Sequence, residues 1–121
     1  MIQEQIWKGW RRVLYVPEGV VYSSSVQIDI PDADSTSFKD EIKADAFIYA
    51  LWVDKKGRKK RLGTQMLNMA ERIAKEHGCK SVSLEWTEGE APEWVMQWYK
   101  KRGYENVAHK GDTWLMRKVL I

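Results

Sequence analysis

Apolar and polar positions alternate strictly from Val26 to Ile30, the pattern of a strand with one buried face. The run belongs to a longer valine-, tyrosine- and isoleucine-rich stretch, Val20 to Ile30. Arg12 to Val16 is similar, and Pro17-Glu18-Gly19 between the two reads as a hairpin turn. Ala46 to Val53 (AFIYALWV) is continuously apolar, which predicts a central strand buried on both faces. Leu62, Met66, Met69, Ala70, Ile73 and His77 recur at helical spacing, and Gly78 follows where a left-handed residue ends a helix. Ser81 to Trp86 alternates again, with Val82, Leu84 and Trp86 on one face and Ser81, Ser83 and Glu85 on the other. Glu90-Ala91-Pro92 opens a second helix with Val95, Trp98, Tyr99 and Arg102 on its inner stripe, and Gly103 closes it. Tyr104 to Ile121 reads as a hairpin around Lys110-Gly111-Asp112. The predicted order is β-β-β-α-β-α-β-β, an α/β (α+β) fold with a mixed, mostly antiparallel sheet and two main helices. Pro31 to Lys43 is a polar connection with room for a helical turn around Phe38 to Ile42.

The chain has 121 residues, 44% hydrophobic and 31% charged, so a single domain over residues 1–121 is expected. No apolar run approaches the roughly 20 residues of a membrane helix, and Met1 to Arg12 lacks the core of a secretory signal. The lone Cys79 cannot form an internal disulfide, which suits a cytoplasmic protein with a packed thiol. A net charge of +3 is too small to argue for nucleic acid by itself. No metal-ligand spacing occurs. His77 and His109 lack partner motifs and read as structural.

Charge matters through its placement. Arg58, Lys59, Lys60 and Arg61 run from the end of the apolar strand straight into the first helix, followed by Leu62, Gly63 and Thr64. Free N–H groups at a helix start, four cations and a glycine that permits close approach make an anion site, with phosphate the usual occupant. Read alone, the stretch is equally a solvated basic turn.

In context the stretch resembles the pyrophosphate loop of the GNAT superfamily of N-acetyltransferases, Gln/Arg-x-x-Gly-x-Gly/Ala after a strand ending in Val-Asp. Here Val53-Asp54 leads to Arg58-Lys59-Lys60-Arg61-Leu62-Gly63, with Arg61 in place of the first glycine. An arginine with helical dihedrals there would still aim its N–H at phosphate. Cys79 to Leu84 is similar to the following family strand. Trp98 to Tyr104 is similar to the Tyr-x-x-x-Gly-Phe ending of the next helix, with Tyr104 for phenylalanine. Trp114 to Leu120 is similar to the last strand. Pro92 stands in place of the asparagine that often opens the second helix.

The resemblance implies an acetyl-CoA-dependent N-acetyltransferase acting by direct attack in a ternary complex, on a small-molecule or protein amine. It implies that a backbone N–H near Leu51, Trp52 or Val53 polarises the thioester carbonyl, and that residues 58 to 64 hold the pyrophosphate. Tyr99, otherwise a core aromatic, becomes the acid that protonates the leaving thiolate. The family's usual strand glutamate is missing from residues 46–53, and Glu85 is the best substitute base, with a solvent-facing carboxylate as its plain alternative. Members usually carry one or two acceptor-walling helices between their first two strands. That region is expected to be missing or reduced to Ile2 to Trp10, which leaves the acceptor site open, or built by residues 31–43, by tryptophans or by a second chain. A homodimer is expected. The alternatives are a CoA-binding regulatory module without transfer and, more weakly, a nucleic-acid-binding protein using Lys55 to Arg61.

Overall fold

The computed structural model describes residues 1–18, 24–53 and 61–121. In chain order the elements are β1 (Ile2–Trp7), β2 (Trp10–Tyr15), β3 (Ser24–Pro31), α1 (Thr36–Ile42), β4 (Ala46–Val53), α2 (Leu62–Glu76), β5 (Ser81–Thr87), α3 (Glu93–Lys101), β6 (Glu105–Lys110) and β7 (Thr113–Val119). They form one seven-stranded sheet in the order β1-β2-β3-β4-β5-β7-β6, with every neighbouring pair antiparallel except β4–β5. This is the expected mixed, mostly antiparallel sheet. Two elements add to the predicted order: β1 at the N-terminal edge, and α1, the turn foreseen at 38–42 extended to seven residues.

The N-terminal region is therefore not lost. Ile2 to Tyr15 is a tight hairpin in which Trp7 pairs with Trp10 across Lys8-Gly9, and Gly9 has φ +92°. A two-residue turn of this kind needs a residue that tolerates positive φ, and glycine supplies it without strain. No helix stands between the first two strands. Of the expected turn at residues 17–19, Gly19 lies outside the described residues, as does the start of the strand expected from Val20.

The core lies on one face of the sheet, under α2 and α3. Leu62, Met66, Leu67, Ala70, Ile73 and Ala74 of α2 are buried against Val13, Val26, Ile28, Ala46 and Ile48. Met96 and Tyr99 of α3 join them beside Leu84 and Trp86, and the Trp86 indole donates to the Pro92 carbonyl at 3.0 Å. Burying one fully enclosed aliphatic side chain contributes on the order of 1.5–3 kcal/mol, so this stripe fixes which face of the sheet α2 covers.

Among the described residues the opposite face is covered by α1, whose Phe38 ring meets Trp10 at 6.0 Å. The strand β4 is consequently not buried on both faces as its composition suggests. Ala46, Ile48 and Val53 are buried, whereas Tyr49, Ala50 and Trp52 are exposed. Without helices between β1 and β2, nothing among the described residues covers that side of the strand.

Candidate active site

The parallel ladder between β4 and β5 contains only Ala46↔Val82 and Phe47↔Ser83. Beyond Phe47 no ladder joins the strands, and they part. On its other side β4 stays paired with β3, but with an irregularity. Tyr49 pairs with Gln27 and Trp52 with Ser25, so Ala50 and Leu51 together oppose Val26. Ala50 has φ +54°, a left-handed conformation that is uncommon for a residue with a Cβ. This is a β-bulge, which bends its strand and strengthens its twist. The bulge falls beside the opening between β4 and β5.

Past that opening lies the start of α2. Arg61 is its N-cap, with φ 60° and ψ 21°. This corrects the expectation of right-handed helical dihedrals at Arg61: the residue takes the left-handed conformation that glycine adopts freely, at a cost of about 1–2 kcal/mol for a side-chain-bearing residue. Among the described residues no side chain caps the helix, and its first turn contains no acidic residue to compete for the leading N–H groups. Leu62 is buried and anchors the turn. A Cβ built at Gly63 would stand 3.8 Å from Trp98 Cη2, an ordinary contact, which brings α3 beside this helix start. The pyrophosphate candidates Arg58, Lys59 and Lys60 lie outside the described residues, while Arg61, Leu62, Gly63 and Thr64 form the helix start.

Tyr99 projects from α3 into the core, with its ring 5.4 Å from Trp98 and 5.9 Å from Tyr104. Burial pushes its phenol above the ordinary value, because the phenolate would lose its hydration. No described residue hydrogen-bonds its hydroxyl. Glu85 belongs to the other side of β5, facing away from Leu84 and Trp86. Tyr99 and Glu85 thus sit on opposite faces of the sheet, on either side of the strand that borders the opening.

Besides Glu85, the open face carries groups that sequence reasoning did not single out. Glu85 lines a cavity of about 600 Å³ together with Phe38 and Glu41 of α1, Phe47 of β4 and Leu115 of β7. Next to it, Arg12 is held in a fork by Asp29, with Nε to Oδ1 at 2.7 Å and Nη2 to Oδ2 at 3.2 Å. That guanidinium lies 5.3 Å from the Trp10 ring centroid and 5.0 Å from that of Tyr49, and Trp7 stacks on Trp10 at 4.4 Å. Pairing with Asp29 raises the Arg12 pKa further. The advance signal for this cluster was the expectation that tryptophans could build the acceptor site.

The remaining candidates are structural. His77 caps α2, with Nδ1 2.9 Å from the Ile73 carbonyl and Nε2 3.3 Å from Glu4. His109 lies in β6, stacked on Trp114 at 3.9 Å. Burial first, and Asp45 second, push the Cys79 thiol up to about 11, so it is neutral and unreactive at physiological pH. Among the described residues no group of His, Cys, Asp and Glu could hold a metal ion, and no helix is long and apolar enough to cross a membrane.

Comparison with known proteins accords with this geometry. Solved structures share the fold over nearly the whole chain. An acetyltransferase from Bacillus cereus is 28% identical over 92% of this chain and 74% of its own, with a TM-score of 0.67. A GNAT-family acetyltransferase from Listeria monocytogenes is 20% identical over 90% of this chain and 64% of its own, with a TM-score of 0.67. The PaiA N-acetyltransferase of Thermoplasma acidophilum, solved in complex with coenzyme A, is 16% identical over 93% of this chain and 62% of its own, with a TM-score of 0.67. The chain thus spans 62 to 74% of these three proteins. No curated protein matches it in sequence. The model of the acetyltransferase (GNAT) family matches residues 33–107, from the approach to α1 into β6. That is more than half of the sequence, and the chain belongs to the GNAT acetyltransferase family.

Proposed function

We propose that this protein is an acetyl-CoA-dependent N-acetyltransferase that moves an acetyl group to a primary amine by direct attack in a ternary complex. The observation that carries the reading is the parting of β4 from β5 after Phe47, with a bulge at Ala50 and the uncapped N-terminus of α2 beyond it. An open slot between strands suits an extended amide-bearing arm, and a helix start free of carboxylates suits a pyrophosphate. Ser24, which pairs with Val53 at the end of the slot, is 4% exposed and its hydroxyl has no described partner. A buried orphan of this kind fits a site that a polar ligand completes. The coenzyme A bound by the PaiA neighbour supports the same assignment.

In this reading Arg58, Lys59, Lys60 and Arg61, with the N–H groups of Leu62, Gly63 and Thr64, hold the pyrophosphate. The strand end, Leu51 to Val53, supplies the N–H that polarises the thioester carbonyl and stabilises the oxyanion. Glu85 takes a proton from the attacking amine, directly or through water. The amine lone pair forms the new C–N bond, the C–S bond breaks, and the sulfur departs with its electron pair. Tyr99 donates its proton to that sulfur; Glu85 then releases the nitrogen's proton to water and Tyr99 takes one back from water, so both groups are reset. The net change is amine plus acetyl thioester to amide plus thiol. The neutral, packed thiol of Cys79 suits the reducing cytoplasm, which we propose as the location.

Calorimetric titration with acetyl-CoA, then an amine panel read through free CoA release, tests the reading. Binding with turnover is expected; binding without turnover on any amine would leave a CoA-binding module instead. With an accepted amine, Tyr99→Phe keeps the packed ring and removes the acid, so kcat should fall by about 10²–10⁴-fold while acetyl-CoA affinity holds. Because an acid must be protonated to act, the loss of kcat caused by Tyr99 ionisation should fall above pH 10, beyond the ordinary phenol value. Near-normal kcat in Tyr99→Phe, measured where chemistry limits the rate, would remove the acid role.

A further inference from the structure

The transferase reading leaves the acceptor unassigned, and the usual wall for it, helices between β1 and β2, is replaced here by a two-residue turn. Among the described residues the helix on the open face is α1, which comes from elsewhere in the chain, between β3 and β4. It forms one side of the 600 Å³ cavity, a volume suited to a small molecule. The cavity begins at the apex of the slot, since Phe47 is in the last β4–β5 pair and Glu85 lies two residues further along the departing β5. An amine held there would lie next to the point where the strands part.

The chemistry of the lining is uneven. Phe38, Ile42, Phe47 and Leu115 are apolar. Glu41 and Glu85 are carboxylates, and neither has an ion-pair or hydrogen-bond partner among the described residues. The far end of the cavity is on β6, the strand most distant from β4 in the sheet order, and it carries Lys110. An acceptor long enough to put a second ammonium there would meet a like charge.

Resting on the transferase reading above, we propose that this cavity is the acceptor pocket, that α1 supplies its wall, and that Glu41 with Glu85 selects a compact primary monoamine with a hydrocarbon body. The apolar walls bury the body, the carboxylates receive the ammonium, and Lys110 disfavours polyamines. Glu41 is then a specificity residue for the acceptor, without a part in the chemistry.

The test uses 2-phenylethylamine, its neutral counterpart 2-phenylethanol, and spermidine. In NMR titrations of the full chain without acetyl-CoA, 2-phenylethylamine should shift the backbone amides of Phe47, Glu85 and Leu115. 2-Phenylethanol should bind at least about tenfold more weakly, as expected when a charge-assisted contact is lost. In turnover, Glu41→Gln should raise the KM for 2-phenylethylamine at least about fivefold with kcat within about twofold, the signature of lost ground-state binding, and Glu41→Asp should recover part of it. Acetyl-CoA affinity should not change. A protein that acetylates amines with a KM indifferent to Glu41, or that prefers spermidine, overturns the pocket and leaves the transferase standing. A protein that binds 2-phenylethylamine in a Glu41-dependent way and never transfers acetyl overturns the transferase reading and leaves the pocket standing.

Discussion

Tyr104 occupies a position where the family resemblance leads one to expect phenylalanine, and its surroundings explain the extra hydroxyl. The ring is 1% exposed, and its hydroxyl donates to Glu71 Oε2 at 2.9 Å. Lys118 Nζ approaches Glu71 Oε1 at 2.8 Å and lies 5.8 Å from the Tyr104 ring centroid. A carboxylate on α2 is thereby held by the segment between α3 and β6 and by β7. Burial and the neighbouring carboxylate both push the Tyr104 phenol up, so it remains a donor. Tyr104→Phe should therefore destabilise the fold by about 1.5–3 kcal/mol, the value of a hydrogen bond to a charged group, although it installs the family's own residue. Guanidinium denaturation with an unchanged m-value measures this, and a loss under about 0.5 kcal/mol would show that the hydroxyl contributes nothing. Legibility at this scale was uneven. Tyr99 was readable because helical spacing puts it on the buried stripe, and Glu85 because strand alternation turns it away from Leu84 and Trp86. Glu71 and Glu41 were not readable, since a carboxylate on a polar helix position looks the same in sequence whether it meets water, a phenol or a cavity.

The start of α2 is where element and ligand compete for the same groups. Gly63 has no positive φ, and the nearest atom to a Cβ built on it is Trp98 Cη2 at 3.8 Å. The fold itself does not require glycine there. Gly63→Ala should leave stability unchanged or raise it by up to about 1 kcal/mol, since alanine loses less entropy in a helix. Acetyl-CoA affinity should fall roughly tenfold or more if the glycine serves close approach of the pyrophosphate. Thermal melts and calorimetry on the same variant separate the two effects, and unchanged affinity would remove Gly63 from the site. The helices α2 and α3 were legible because their apolar stripes are long and their stops, Gly78 and Gly103, are marked. The strand β1 was not legible, because Gln3-Glu4-Gln5 is a weak strand sequence. What holds it is pairing with β2, a tertiary cause. The bulge at Ala50 had no signal, because alanine gives no hint of a positive φ. The apolar run around it reads as full burial on both faces, and whether a second layer covers a strand depends on elements elsewhere in the chain.

At the scale of the whole molecule, the sheet has two edges of different character. At one, β6 ends in His109 and Lys110 and is interrupted by a register shift between Asn106 and Ala108. Charge and irregularity of this kind discourage pairing with another chain. At the other, all six residues of β1 are exposed, with no lysine, proline or bulge. Its one charged residue, Glu4, is already engaged by Arg11 at 3.8 Å and His77 at 3.3 Å. Ile2 is 54% exposed, Ile6 69% and Trp7 42%, so the edge offers unpaired backbone groups and apolar surface together. The aromatic surface continues inward through Trp10 to Tyr49, on the face where α1 is the helix among the described residues. A second copy pairing through β1 would satisfy both needs with one symmetric contact, the commonest arrangement among soluble oligomers. Light scattering at tens of micromolar should accordingly give twice the 14.2 kDa chain mass. Ile6→Lys, which places a charge on the exposed edge without touching the core, should return the monomer mass with an unchanged circular dichroism spectrum. A wild-type chain that already scatters as a monomer, or an Ile6→Lys chain that remains dimeric, would remove β1 as the contact.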